Sequence, residues 1–159
     1  GVDAAKKVKA ISVDHLEVLN AKGIKTLKGC DIVATLLPGC SYFLNMVYPP
    51  ARKIVENEIP VALATDFNPG SCMTENMQMI MSLASLKMKM TAEEIINAVT
   101  VNGAYALNIQ DKTGNLETGK QADILVFDFP NYKDLIYHFG VNQLEKVFKK
   151  GKSIDLNYK

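Results

Sequence analysis

Three short apolar runs punctuate the first half of the chain, at residues 10–13 (AISV), 31–37 (DIVATLL) and 61–65 (VALAT). Each is too short for a helix and carries β-branched side chains, so each predicts a buried strand. The runs stop at Asp14-His15, Pro38-Gly39 and Asp66. Between the first two, residues 15–21 and 22–27 read as a short helical return. Between the second and third, the Pro49-Pro50 break is followed by ARKIVENE at 51–58, a good helical sequence. The order β, α, β, α, β predicts a parallel sheet covered on both faces, because parallel neighbours need a crossover and continuous apolar strands need cover on each side.

After residue 66 the period changes. Asn68-Pro69-Gly70 predicts a turn. Residues 74–88 (TENMQMIMSLASLKM) read as a methionine-rich helix with Thr74 as its N-cap. Met77, Met79, Met81, Met88 and Met90 are expected to fill the core rather than to form a cofactor site. Thr91 and Glu94 have the capping-box spacing, and the helix they open is expected to run through residue 108. From Gly114 the helical period ends. GNLETGKQADILVFD offers two glycine turns and a strand at 122–127, residues 131–142 are irregular and aromatic, and 144–149 can pair with 153–156 about Lys150-Gly151. The expectation is an α/β body with a small β element attached.

Composition narrows the function classes. With 159 residues, 48% hydrophobic and 22% charged, the chain can bury an ordinary core, which excludes disorder as an overall description. Eighteen Lys and Arg against 17 Asp and Glu leave a net charge of +1, without a basic block of the kind that grips nucleic acid or a membrane surface. No stretch approaches the roughly 20 apolar residues of a membrane span. Cys30, Cys40 and Cys72 are odd in number and lack CxxC spacing, which argues against a disulfide framework and a thiolate zinc site. They read as small buried apolar residues in a reducing, cytoplasmic setting.

In parallel α/β folds, sites collect at the C-terminal ends of the strands, and His15 and Asp66 both stand there. A carboxylate in that position can bind a cation or take a proton from a metal-bound water. A nearby imidazole can polarise a carbonyl or steady the attacking hydroxide. The bland alternatives stay open on pattern alone. A strand-end Asp is equally a turn or helix cap, a histidine is equally a satisfied, partly buried side chain, and Asn68, Gly70 and Ser71 are by default turn formers. One Asp and one His are also too few for a catalytic zinc, which takes three protein ligands.

The segments SVDHLE, LLPGCSYFL, ALATDFNPGS, TENMQMIMSLA, KMTAEEIINAVTVNGAYAL, GNLETGKQADILVFD and YHFGVN, in this order, resemble the C-terminal part of the imidazolonepropionase family of the amidohydrolase superfamily. The likeness covers nearly the whole chain. Its T-x-N-x-A and G-x-L-x-x-G-x-x-A-D pattern at 100–123 is shared broadly by amidohydrolases, whereas D-F-N-P-G-S and Y-H-F-G-V-N are more particular to imidazolonepropionases.

The resemblance implies an α/β fold: the last three βα units of a TIM-type amidohydrolase barrel at 1–112, and part of a small β-sandwich at 113–159. It implies hydrolysis of 4-imidazolone-5-propanoate, a small-molecule substrate, to N-formimidoyl-L-glutamate in histidine degradation by a metal-activated water. Asp66 would bind a single Zn²⁺ or Fe ion and act as base toward its water. His15 would stabilise the oxyanion or orient the hydroxide, and Asn68, Gly70 and Ser71 would hold the substrate. The family's His-x-His pair, its further histidine and its assisting glutamate have no match here, and His138 matches no ligand position. A complete barrel takes about 250 residues. The chain is therefore expected to be a piece of a larger cytoplasmic enzyme, inactive alone. Its open strand edges would make a homodimer or association with the missing barrel portion. Two other readings compete: another cyclic amidohydrolase or nucleobase deaminase, and a noncatalytic fragment that binds a partner chain.

Overall fold

The computed structural model describes residues 1–156. Strands β1 (Ser12–Asp14), β2 (Val33–Leu36) and β3 (Val61–Leu63) form a parallel sheet in the order β1-β2-β3. In its register Asp14 lies beside Thr35, which lies beside Ala62. All three predicted strands exist, each a little shorter than its apolar run.

The main core lies on one face of this sheet. Ala34 and Leu36 of β2 and Val61 and Leu63 of β3 pack there against Ile24, Leu27, Ile54, Ile80, Ile95 and Ala98, all buried. Those side chains come from helices α2 (Ala21–Leu27), α4 (Ala51–Glu56), α5 (Met77–Met88) and α6 (Ala92–Val99). Alternation along β2 sends Val33 and Thr35 to the other face, and the buried Thr35 hydroxyl finds no partner there. The helices α1 (Val2–Val8), α3 (Pro38–Phe43), α7 (Val101–Ala106) and α8 (Asp134–Tyr137) complete the set. None of the described helices is long and apolar enough to cross a membrane.

Several boundaries differ from the sequence reading for local reasons. Residues 15–20 are not helical, because His15 and Leu16 both adopt φ 71 and Asn20 then starts α2 by accepting from the Gly23 amide at 3.0 Å. Pro38-Gly39 does not simply close β2 but opens α3, with proline in the first turn, where its missing N–H costs nothing. Thr74 is not the cap of α5. Its hydroxyl accepts from the Asn76 amide, and Asn76 caps the helix by accepting from Met79 N at 3.1 Å. The helix expected through residue 108 breaks at Thr100, whose backbone leaves the helical region (φ −119, ψ −88) while its hydroxyl donates back to Ile96 O at 2.6 Å.

The Thr91 capping box forms as predicted. Glu94 also receives both guanidinium nitrogens of Arg52, at 2.9 and 2.7 Å, which joins α4 to the start of α6. That bidentate pair and the capping bond hold the Glu94 carboxyl below its ordinary range, the guanidinium contributing most.

The C-terminal part is a separate antiparallel sheet, β4 (Ile124–Phe127), β5 (Leu144–Lys149) and β6 (Lys152–Ile154), in the order β4-β5-β6. The expected hairpin turns on Lys150 (φ 53) and Gly151 (φ 75), two positive values as primed hairpin turns require. Asp123 fixes that turn by accepting from Lys149 Nζ and from Lys150 N, so its carboxyl is lowered to about 2. The connection from β4 to β5 holds α8 and docks on α5, where the buried Ser82 hydroxyl donates to Ile136 O at 2.8 Å. The expected boundary at 112/113 falls between the last helix of the body and this sheet, and the final three residues of the 113–159 portion lie outside the described residues.

Candidate functional site

The C-terminal ends of β1 and β3 carry His15 and Asp66, with β2 between them. Two strand spacings put the two ends about 10 Å apart across the sheet. His15, Asp66 and Leu16 share an unusual trait: all adopt left-handed backbone (φ 71, 55 and 71), which costs a non-glycine residue on the order of 1–2 kcal/mol. Strained backbone persists only where neighbouring bonds over-determine it.

Around Asp66 those bonds are visible. Asn68 Nδ2 donates to Asp66 O and to Ser71 Oγ, each at 2.7 Å. Asn68 Oδ1 accepts from Gly70 N at 2.9 Å and Ser71 N at 2.8 Å. All four hydrogen-bonding positions of this amide are therefore used inside the loop. The Ser71 hydroxyl passes the chain onward by donating to Asp66 Oδ2 at 3.3 Å. Backbone bonds between Asn68 and Cys72, at 3.0 and 3.2 Å, close the loop like a miniature hairpin. Asp66, Asn68, Gly70 and Ser71, singled out separately in the sequence, thus form one hydrogen-bonded unit.

His15 is not part of that unit. Its backbone N–H continues the sheet pattern by donating to Thr35 O at 3.0 Å, while its ring Nδ1 lies 3.1 Å from Glu17 Oε1. The His15 side chain is 49% exposed and that of Glu17 only 10%. Glu17 escaped the sequence reading, although it closes the quoted segment SVDHLE. Its only signal there was its place two residues after the histidine.

Two cysteines lie beneath these strand ends. Cys40, in the first turn of α3, and Cys72, closing the Asp66 loop, are both buried, and burial is the main cause that raises each thiol above its ordinary range. The Asp66 carboxylate adds to both shifts, and that of Glu17 adds to the shift at Cys40. Gly39 is what lets the loop pack so closely. A Cβ there would sit 2.7 Å from Cys72 Sγ and 2.7 Å from Ile80 Cδ1.

The donor set decides how far this site could hold a metal. Among the described residues no three His, Cys, Asp or Glu side chains converge to hold an ion. Asp66 offers one carboxylate, and catalytic zinc needs three protein ligands. The residues present therefore do not fit a metal centre by themselves.

Residues 2–154 match the model of the amidohydrolase family. The chain is 48% identical over 155 residues to the imidazolonepropionase of Christiangramia forsetii, covering 97% of this chain and 38% of that protein. It is 49% identical over 155 residues to the imidazolonepropionase of Caldanaerobacter subterraneus subsp. tengcongensis, covering 97% and 37%. The chain thus spans under two fifths of the length of these relatives. Among solved structures, an adenosine deaminase from Xanthomonas campestris with bound zinc superposes with a TM-score of 0.82 at 24% identity, covering 89% of this chain and 36% of that one. At that identity the likeness speaks for the fold.

Proposed function

The chain belongs to the amidohydrolase family, and from that premise we propose that it forms part of an imidazolonepropionase, contributing the last three βα units of a TIM-type barrel and part of a small β-sandwich. The reaction is hydrolysis of the ring amide of 4-imidazolone-5-propanoate to N-formimidoyl-L-glutamate in histidine degradation. What supports this substrate over others is the identity of 48–49% to two imidazolonepropionases along nearly the whole chain. The observation that carries the chemistry is the Asp66 loop, in which the Ser71 hydroxyl donates to Oδ2 and so fixes a strand-end carboxylate at the mouth of the sheet.

Asp66 acts as general base. It takes a proton from the attacking water as the water oxygen bonds to the ring carbonyl carbon, and the carbonyl electrons move onto oxygen. Collapse of that oxyanion breaks the bond to the ring nitrogen, which takes the proton back from Asp66. His15 lies two strands away, at the end of β1, to orient the water or to face the oxyanion. Asn68, Gly70 and Ser71 hold the substrate by exchange: a propionate oxygen replaces Asn68 Oδ1 as acceptor for the N–H groups of Gly70 and Ser71. Were the remaining ligands supplied by the rest of a complete barrel, Asp66 would be the one residue of this chain to hold a zinc or iron ion, which would lower the pKa of the attacking water. The edges of β1 and β3 suit association with that remainder or with a second copy, in a cytoplasmic setting.

The test is a chimera in which the chain replaces its matching 155 residues in the Caldanaerobacter relative. The expected result is ring opening of imidazolone propionate, with Asp66→Asn lowering kcat by about 10²- to 10⁴-fold. A folded chimera that deaminates cytosine or guanine instead, or near-normal turnover of Asp66→Asn, overturns the reading.

A further inference from the structure

Two roles are open to His15 in that reaction, and they need opposite states of its Nε2. Facing an oxyanion requires an N–H there, whereas accepting a hydrogen bond from the attacking water requires a lone pair. Nδ1 lies 3.1 Å from Glu17 Oε1, and an ionised carboxylate only accepts, so Nδ1 must carry the hydrogen. In the neutral ring the lone pair is then left on Nε2.

Two further observations single out Glu17. Its side chain is nine-tenths buried although it is a carboxylate, and among the described residues the one hydrogen bond of that side chain is the one to His15. A buried carboxylate without strong pairing is unfavourable, so the chain tolerates it for the sake of that contact. The backbone between the pair is also strained: His15 and Leu16 are consecutive non-glycine residues at φ 71, with Leu16 buried in the core and its carbonyl accepting from Leu19 N at 3.0 Å. This double left-handed step ends β1 and places Glu17 against the ring.

We propose that Glu17 is a positioning residue that fixes His15 as the Nδ1–H tautomer, so that Nε2 accepts from the attacking water rather than donating to the oxyanion. This rests on the catalytic reading of His15, but the tautomer can be measured without it. Nitrogen NMR of the full chain, at alkaline pH and with His138→Gln to simplify assignment, should show a protonated Nδ1 and a bare Nε2 for His15. Glu17→Ala should shift the population toward Nε2–H, and Glu17→Gln, whose side-chain carbonyl still accepts from Nδ1–H, should restore the original pattern. An Nε2–H ring in the parent chain, or a spectrum unmoved by Glu17→Ala, overturns the proposal.

In the chimera, Glu17→Ala should lower kcat by about 10- to 100-fold, the usual scale for losing a partner that orients a functional imidazole, with KM nearly unchanged. Glu17→Gln should recover most of that loss. A rise in KM at constant kcat, or equal losses in both variants, counts against positioning. A chimera that fails to open the imidazolone ring sinks the substrate reading while leaving the NMR result to stand or fall by itself.

Discussion

The two strand ends solve one problem in opposite ways. Both put a polar side chain on left-handed backbone at the mouth of the sheet. The Asp66 end holds itself, with four bonds to one asparagine amide and a backbone bridge to Cys72. The His15 end has no such network; it relies on one side-chain contact to Glu17 and on the burial of Leu16. Under the proposed roles, a base at Asp66 would need a fixed oxygen, which a self-closed loop provides without outside help. An orienting imidazole at His15 would need only its ring nitrogen assigned, for which a single carboxylate suffices.

That contrast can be broken most forcefully from beneath the Asp66 loop. Gly39→Ala would push a methyl group into Cys72 Sγ and Ile80 Cδ1, and should destabilise the chain by about 3 kcal/mol, the upper end for overpacking, as read by urea unfolding. Next in size, Asn68→Ala removes the amide that gathers Asp66, Gly70 and Ser71; about 2 kcal/mol should be lost by the same measurement. The His15 end should respond less. His15→Gly relieves left-handed strain worth about 1 kcal/mol but strips the buried Glu17 carboxylate of its hydrogen bond at a cost of similar size, so stability should stay within about 1 kcal/mol of the parent in thermal melts. If Asn68→Ala leaves stability unchanged, or His15→Gly lowers it by as much, the two ends are not different in kind.

The smallest effect should come from a site remote from both ends. Asp123 has its carboxyl lowered to about 2, first by Lys149 and then by the Lys150 amide. A carboxylate with a depressed folded pKa contributes stability above its unfolded value near 4, and that contribution fades as pH falls through about 2. Asp123→Asn should therefore flatten the pH dependence of unfolding between about pH 4 and 2, while leaving the neutral-pH behaviour of the strand-end variants unaltered. A profile as steep as that of the parent chain would mean that other carboxylates dominate.

Much of this was legible in the sequence where the signal is local. The three strands followed from short apolar runs, the start of α6 from Thr91 and Glu94, and the final hairpin from Lys150-Gly151. The Asp66 loop could be read as a turn because Asn68, Pro69 and Gly70 are turn formers. What could not be read was competition between equivalent signals. Thr74 and Asn76 can each cap a helix, and only the bond to Met79 N shows which one does. Pro38-Gly39 suits a turn and a helix start equally well. The left-handed pair at His15 and Leu16 leaves little mark in residue type, since histidine visits that region only at times and leucine rarely, and without that step the place of Glu17 beside the ring is invisible.

The Arg52–Glu94 pair has a consequence in time rather than in space. Glu94 receives one bond from its own helix start and two from a residue 42 positions earlier. The capping box is a local contact with little loop to close, so it can form early, whereas the arginine must wait for α4 to arrive. If the first turn of α6 belongs to the folding nucleus, Thr91→Ala should mainly slow folding and Arg52→Met should mainly hasten unfolding, a split that stopped-flow kinetics would resolve. One carboxylate would then act first as an initiator and later as a latch.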